Sequence, residues 1–192
     1  LWNVRDRSNP LPLGKPLTGH TAWVTSVVFS ADGRTLASTS LDTTVRLWDT
    51  SNTPNTPSPL LSTILTGHIG GVGSAAFTSD GRTLASGGKD SKVRLWNVID
   101  RTKPSPLGKP LTGDTETVVW PVAFSPDNRI LASGSWDSTV LLWDVDNPST
   151  PISLKPPSAK GIEWIWSIAI SPDGRTLAVG SKDGAIRLLA LP

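Results

Sequence analysis

Gly33-Arg34-Thr35-Leu36-Ala37-Ser38 decides the architecture, because the chain writes it four times. It returns as Gly81-Arg82-Thr83-Leu84-Ala85-Ser86, as Asn128-Arg129-Ile130-Leu131-Ala132-Ser133 and as Gly174-Arg175-Thr176-Leu177-Ala178-Val179. Four residues after each copy stands an aspartate (Asp42, Asp90, Asp137, Asp183), and six residues further on come Trp48, Trp96, Trp143 and finally Leu189. Trp2 is an earlier instance of that last position, and successive instances lie 46 to 48 residues apart. A motif returning at so even an interval marks a repeated supersecondary unit.

Each unit reads as four short strands. Thr25 to Ser30 alternates well enough for a strand, the Asp32-Gly33 turn follows, and Thr35 to Thr39 gives a second, so the pair is a hairpin. A second turn at Asp42 leads into Val45-Arg46-Leu47-Trp48, rich in β-formers, and a short segment before Gly67-His68 supplies a fourth strand. No window carries helical periodicity. The interval is close to the roughly 40 to 45 residues of a four-stranded propeller blade, and Pro-rich links account for the excess. The expected fold is therefore all-β: four radially arranged antiparallel blades, a partial ring or half of an eight-bladed one. The expected boundaries are 1–4 for the end of a preceding blade, then units at 5–49, 50–97, 98–144 and 145–192.

Composition excludes more than it selects. The 17 Gly and 17 Pro are spread along the chain, as turns between many short elements require. The net charge of +2 is too small for a nucleic-acid footprint. With no Cys there is neither a disulfide framework nor a thiolate metal site. No apolar run approaches the ~18 residues of a membrane span, and Leu1-Trp2-Asn3-Val4 does not open a signal peptide. A cytoplasmic location is the expectation. The absence of Met suggests a piece of a longer protein.

The repeats resemble the WD-repeat family, which carries Gly-His near the start of a unit and Trp-Asp at its end: Gly19-His20 with Trp48-Asp49, and Gly67-His68 with Trp96-Asn97. The third unit keeps Trp143-Asp144 but has Gly113-Asp114, and the fourth has neither Gly-His nor the terminal Trp. Similar Pro-rich arrays are typical of bacterial multidomain signalling proteins. The resemblance implies a structural relay in each unit, from turn Asp to His, His to strand Ser, and Ser to the indole N–H: Asp42, His20, Ser38 and Trp48 in the first, Asp90, His68, Ser86 and Trp96 in the second, and the remnant Ser133, Asp137 and Trp143 in the third. It further implies a non-catalytic scaffold or sensor for protein–protein recognition. Rings of this family need seven or eight blades. Either further blades belong to the parent chain or two copies associate, and Leu13 to Thr18 is the candidate outer strand for the last blade, in the same chain or in another copy.

Chemistry-bearing patterns point the same way. His20, Ser38 and Asp42 have the residue types of a nucleophile–base–acid site, but their recurrence as His68, Ser86 and Asp90 argues for structure, since a catalytic site has no reason to be copied. Two His and no spaced Asp/Asn loop leave no metal site, and Gly70-Gly71-Val72-Gly73 lacks the third glycine of a dinucleotide fingerprint and the Lys of a phosphate loop, so no cofactor is expected. Arg34, Arg82, Arg129 and Arg175 follow Asp32, Asp80, Asp127 and Asp173 by two residues and read as solvated turns. An enzyme would need a unique titratable cluster, and only Glu116, Glu163 and Asp114 offer one.

Tryptophan is the informative residue. Trp2, Trp48, Trp96 and Trp143 fall at the blade-core position, whereas Trp23, Trp120, Trp164 and Trp166 precede or begin a first strand and Trp136 lies in the turn between the second and third. In an up-and-down blade those two kinds of loop share one end. That end, with Lys89 and Lys182 at its turns, is the expected surface for a protein or peptide partner. Binding is expected between the third and fourth units, and Trp136→Ala and Trp166→Ala are expected to weaken it with little loss of stability. The alternative is a small-ligand or carbohydrate site on the same face.

Overall fold

The computed structural model describes residues 2–3, 6–12, 15–51, 63–113, 117–154 and 162–192. Within them the chain is all-β. The first blade runs β3 (Val24–Phe29), β4 (Thr35–Ser40), β5 (Val45–Asp49) and β6 (Thr63–Leu65), paired antiparallel in that order. The second has β7 (Val72–Phe77), β8 (Thr83–Gly88), β9 (Lys92–Asn97) and β10 (Ser105–Thr112), and the third β11 (Val119–Phe124), β12 (Ile130–Ser135), β13 (Val140–Asp144) and β14 (Ile152–Leu154). The fourth has three strands among the described residues: β15 (Ile165–Ile170), β16 (Thr176–Ser181) and β17 (Ile186–Ala190). Ahead of them β1 (Trp2–Asn3) pairs with β2 (Leu11–Pro12).

Within one chain the strand near the N-terminus is Leu11–Pro12 and it joins Trp2–Asn3, not the last blade of the same chain. Of the expected strand from Leu13 to Thr18, Leu13 and Gly14 lie outside the described residues, and residues 15–18 form no strand.

The first turn of every blade is built by its Asp. In the first blade the Gly33 amide donates to the Ser30 carbonyl at 2.8 Å, while Asp32 Oδ1 accepts the Ser30 hydroxyl at 2.6 Å and the Arg34 amide at 3.0 Å. The residue after the Asp must then adopt positive φ: 67° at Gly33, 68° at Gly81, 72° at Gly174 and, without glycine's freedom, 63° at Asn128. Asn128 compensates by bonding to the neighbouring blade: the Ser79 amide donates to its Oδ1 at 2.7 Å and its Nδ2 donates to Ser79 Oγ at 2.8 Å.

Alternation along each blade sends one set of side chains forward and the other back. Ala37, Val45, Leu47 and Leu65 form one core with Val72, Ala75, Leu84 and Trp96. Ala85, Val93, Leu95 and Leu111 do so with Val119, Val122, Leu131 and Trp143, and Ala132, Val140 and Leu142 with Ile165, Leu177 and Val179. The core is thus three repeated interfaces, in which burying each Val or Leu contributes about 1.5–3 kcal/mol. Ile186 and Leu188, at the register positions of Val93 and Leu95, stand 77% and 72% exposed because no blade follows them among the described residues.

Candidate functional site

Hydrogen bonds fix which loops share an end. The residue opening each second turn donates its amide to the carbonyl of the residue just ahead of the first strand: Leu41 to Trp23 at 2.9 Å, Lys89 to Gly71 at 2.8 Å, Trp136 to Val118 at 3.1 Å and Lys182 to Trp164 at 3.0 Å. At the opposite end, Thr50, Val98, Val145 and Leu191 donate to Arg34, Arg82, Arg129 and Arg175. The tryptophan-bearing loops therefore meet at one end and the Asp-Gly turns at the other.

Below the Trp-bearing end lie two complete polar relays. His20 Nδ1 is 2.7 Å from Asp42 and its Nε2 2.7 Å from Ser38 Oγ, which also accepts the Trp48 indole N–H at 2.8 Å. In the second blade the distances are 2.9 Å (His68 to Asp90), 2.8 Å (His68 to Ser86) and 2.9 Å (Trp96 to Ser86). With the ring proton on Nδ1, the indole N–H donates to the Ser hydroxyl, the hydroxyl to His Nε2 and His Nδ1–H to the Asp carboxylate, so no donor in the relay is left unpaired. Burial pushes the Asp42 carboxyl up, yet the Thr44 hydroxyl, the His20 ring and the Thr21 and Thr44 amides outweigh it and hold it well below the usual range. Asp90 is likewise raised by burial and brought lower by His68, the Ile69 amide and Arg94.

The third and fourth blades depart from this pattern. Ser133, fully buried, has no hydrogen-bond partner for its hydroxyl, so the expected remnant through Ser133, Asp137 and Trp143 does not form. Asp137 accepts the Thr139 amide at 3.0 Å instead, and Asp114, which replaces the histidine, lies outside the described residues. In the fourth blade Val179 occupies the serine position and Asp183 turns to Arg187 at 2.6 Å.

The tryptophans form a column across the third and fourth blades. Trp136 stacks on Trp120 (centroids 5.6 Å, 27°) and on Trp164 (5.2 Å, 6°), and Trp166 tilts against both Trp136 and Trp164 at 5.3 and 6.4 Å. Lys182 Nζ sits 4.3 Å from the Trp164 ring centre and Lys89 Nζ 5.9 Å from that of Trp120, so an ammonium lies at each end. Trp120 is seated by Gly73, where an added Cβ would come within 2.5 Å of the indole. Beside the column a cleft of about 230 Å³ is walled by Trp120, Pro121 and Trp166 and floored by Thr25, Ser26, Ser74 and Ser167.

The four repeats, their blade geometry and the two relays meet in one comparison: the family described as WD domain, G-beta repeat matches residues 12–49, 59–97, 105–144 and 158–188. The chain belongs to the WD40 repeat family. Among curated proteins, this WD40 chain is similar to nuclear distribution protein PAC1 of Arthroderma otae, Arthroderma benhamiae and Trichophyton verrucosum, each 60% identical over 37 residues. That stretch is 19% of this chain and 8% of each relative, so the likeness spans a small part of both.

Trp23 shares the end but not the column: it is 81% exposed and has no ring partner among the described residues. Trp136 is the half-buried inner slab of the stack, with its indole nitrogen buried and unpaired. Trp164 and Trp166, 41% and 46% exposed, present the open aromatic area. The seating of Trp120 by Gly73 and the cleft beside it give no signal in the sequence, because small residues at strand starts carry none until a neighbouring blade is placed against them. Among the described residues no group of three or more His, Asp or Glu side chains converges to hold a metal ion.

Proposed function

We propose that this WD40 chain is a non-catalytic module that recognises protein through the Trp-rich end of its blades. The single observation that carries this reading is the exposure of Trp164 and Trp166 on a base already stacked through Trp136. Exposed indoles cost free energy unless a partner covers them, and rigid aromatic anchors lose little entropy on binding. The histidines support it too, because His20 and His68 are consumed in relays and are not offered to a substrate. The curated relatives, named for nuclear distribution, share fewer residues than one repeat interval, and their role is not transferred.

Peptides selected from a random displayed library on the immobilised chain test the reading. Trp166→Ala should weaken them by about thirtyfold, some 2 kcal/mol, and lower the unfolding midpoint less than Trp136→Ala does, since only its tilted contacts are lost. Trp136→Ala should lower that midpoint, losing two stacked contacts worth about 0.5–1.5 kcal/mol each beyond the buried area. Peptides held equally by Trp166→Ala, or no enrichment at all, would sink the reading. The hydroxyl-floored cleft between Trp120 and Trp166 supports a second reading, a small sugar-like ligand, in which case a soluble oligosaccharide displaces the peptides.

A further inference from the structure

The charges at the Trp-rich end are unequally occupied. Asp42 and Asp90 serve His20 and His68, Asp183 serves Arg187, and Asp137 accepts the Thr139 amide. Lys89 and Lys182 make no ion pair among the described residues. Even the exposed Glu163, next to Trp164 in sequence, is not within ion-pair distance of Lys182, whose ammonium lies over the indole instead. An indole face accepts no hydrogen bond of ordinary strength, so each ammonium is held in place with its N–H donors still available. Two cations therefore bracket an aromatic strip, and among the described residues the exposed carboxylates Glu163 and Asp137 lie beside it, the latter accepting the Thr139 amide.

We propose that the partner segment is acidic: an extended peptide carrying a carboxylate for each lysine and an apolar or aromatic residue between them. This rests on the reading of the Trp-rich end as a protein-binding surface and specifies its partner. The column from Lys89 through Trp120, Trp136 and Trp164 to Lys182 spans at most about 21 Å, the reach of roughly six extended residues. Carboxylates about that far apart meet both ammoniums while the side chain between them lies against Trp166. A basic segment would set its charges against Lys89 and Lys182 and displace neither from its ring. Among the described residues Glu163 and Asp137 oppose the acidic ligand, but both are exposed and neither pairs with a lysine of the strip.

Titration of the whole chain, read by its own tryptophan fluorescence, tests this with three probes: a Trp-free peptide with glutamates at both ends and a central phenylalanine, its lysine counterpart and its glutamine counterpart. The glutamate peptide should bind at least about tenfold tighter than either of the others, and about 1 M salt, where the screening length is about 3 Å, should remove the advantage. Lys182→Gln and Lys89→Gln should each weaken it about fivefold, Glu163→Gln should tighten it, and Lys182→Glu should shift preference toward the lysine peptide. Equal or tighter binding of the lysine or glutamine peptide, or an unchanged affinity in Lys182→Gln, overturns the acidic assignment. If all three probes are lost in Trp166→Ala with no charge preference, the protein-binding surface stands and its acidic partner falls. If no probe binds, both fall.

Discussion

Ser86 and Ser133 occupy the same position in neighbouring blades, both wholly buried, yet alanine should act on them in opposite directions. Ser86 Oγ donates to His68 Nε2 at 2.8 Å and accepts the Trp96 N–H at 2.9 Å. Ser86→Ala deletes one oxygen and strands two groups, the imidazole nitrogen and the indole N–H. Each unsatisfied buried group costs about 1–3 kcal/mol, so partial relaxation leaves a total of about 2–4 kcal/mol. Ser133 has no partner to lose. Its hydroxyl is desolvated without compensation, and Ser133→Ala should leave stability unchanged or raise it by about 1 kcal/mol. The two variants should therefore differ by about 3 kcal/mol, readable as a shift in the urea midpoint at constant slope, followed by tryptophan fluorescence. A Ser133→Ala midpoint lowered as far as that of Ser86→Ala would refute the reasoning, because burial alone would then explain both.

Two further outcomes follow from the same geometry. Folding lowers the carboxyl pKa values of Asp42 and Asp90, so it stabilises their ionised forms; that contribution is complete above the unfolded value of about 4 and is lost as the pH falls through the lower folded values. Asp42→Asn and Asp90→Asn should be less stable at neutral pH and show a shallower loss as the pH falls below about 4; acid titrations parallel to the parent would contradict the relay. Asn128→Ala keeps a positive φ that suits no alanine and breaks both bonds to Ser79, so it should cost about 2 kcal/mol, whereas Asn128→Gly relieves the backbone and should cost less. Thermal unfolding of the two variants checks the order: both lose the Ser79 bonds, so an alanine variant as stable as the glycine variant would contradict the backbone argument.

The period of the repeat determined the blades, because Trp48, Trp96 and Trp143 can recur with Ser38, Ser86 and Ser133 at one spacing only if each unit buries the same positions against its neighbour. The relays of the first two blades were legible for the same reason: Gly-His, Ser, Asp and Trp stand at fixed offsets, and strand register carries those offsets directly into distance. That the Trp-rich loops share an end was also legible, since strands that alternate in direction leave no other choice. Tertiary structure decided what the offsets do not contain. Trp120, Trp136, Trp164 and Trp166 belong to two blades, and which is inner slab and which is surface depends on how one blade is rotated against the next and on the room Gly73 leaves in a third. Trp23, at the same loop position as Trp164, stands 81% exposed because its turn partner is Leu41 where Trp164 has Lys182, and because among the described residues no second turn of a preceding blade lies against it as Trp136 lies against Trp164. Periodicity fixes the neighbours of a residue along its own blade through covalent spacing, but contact across blades depends on side-chain volumes that differ from repeat to repeat, and only the packed structure sums them.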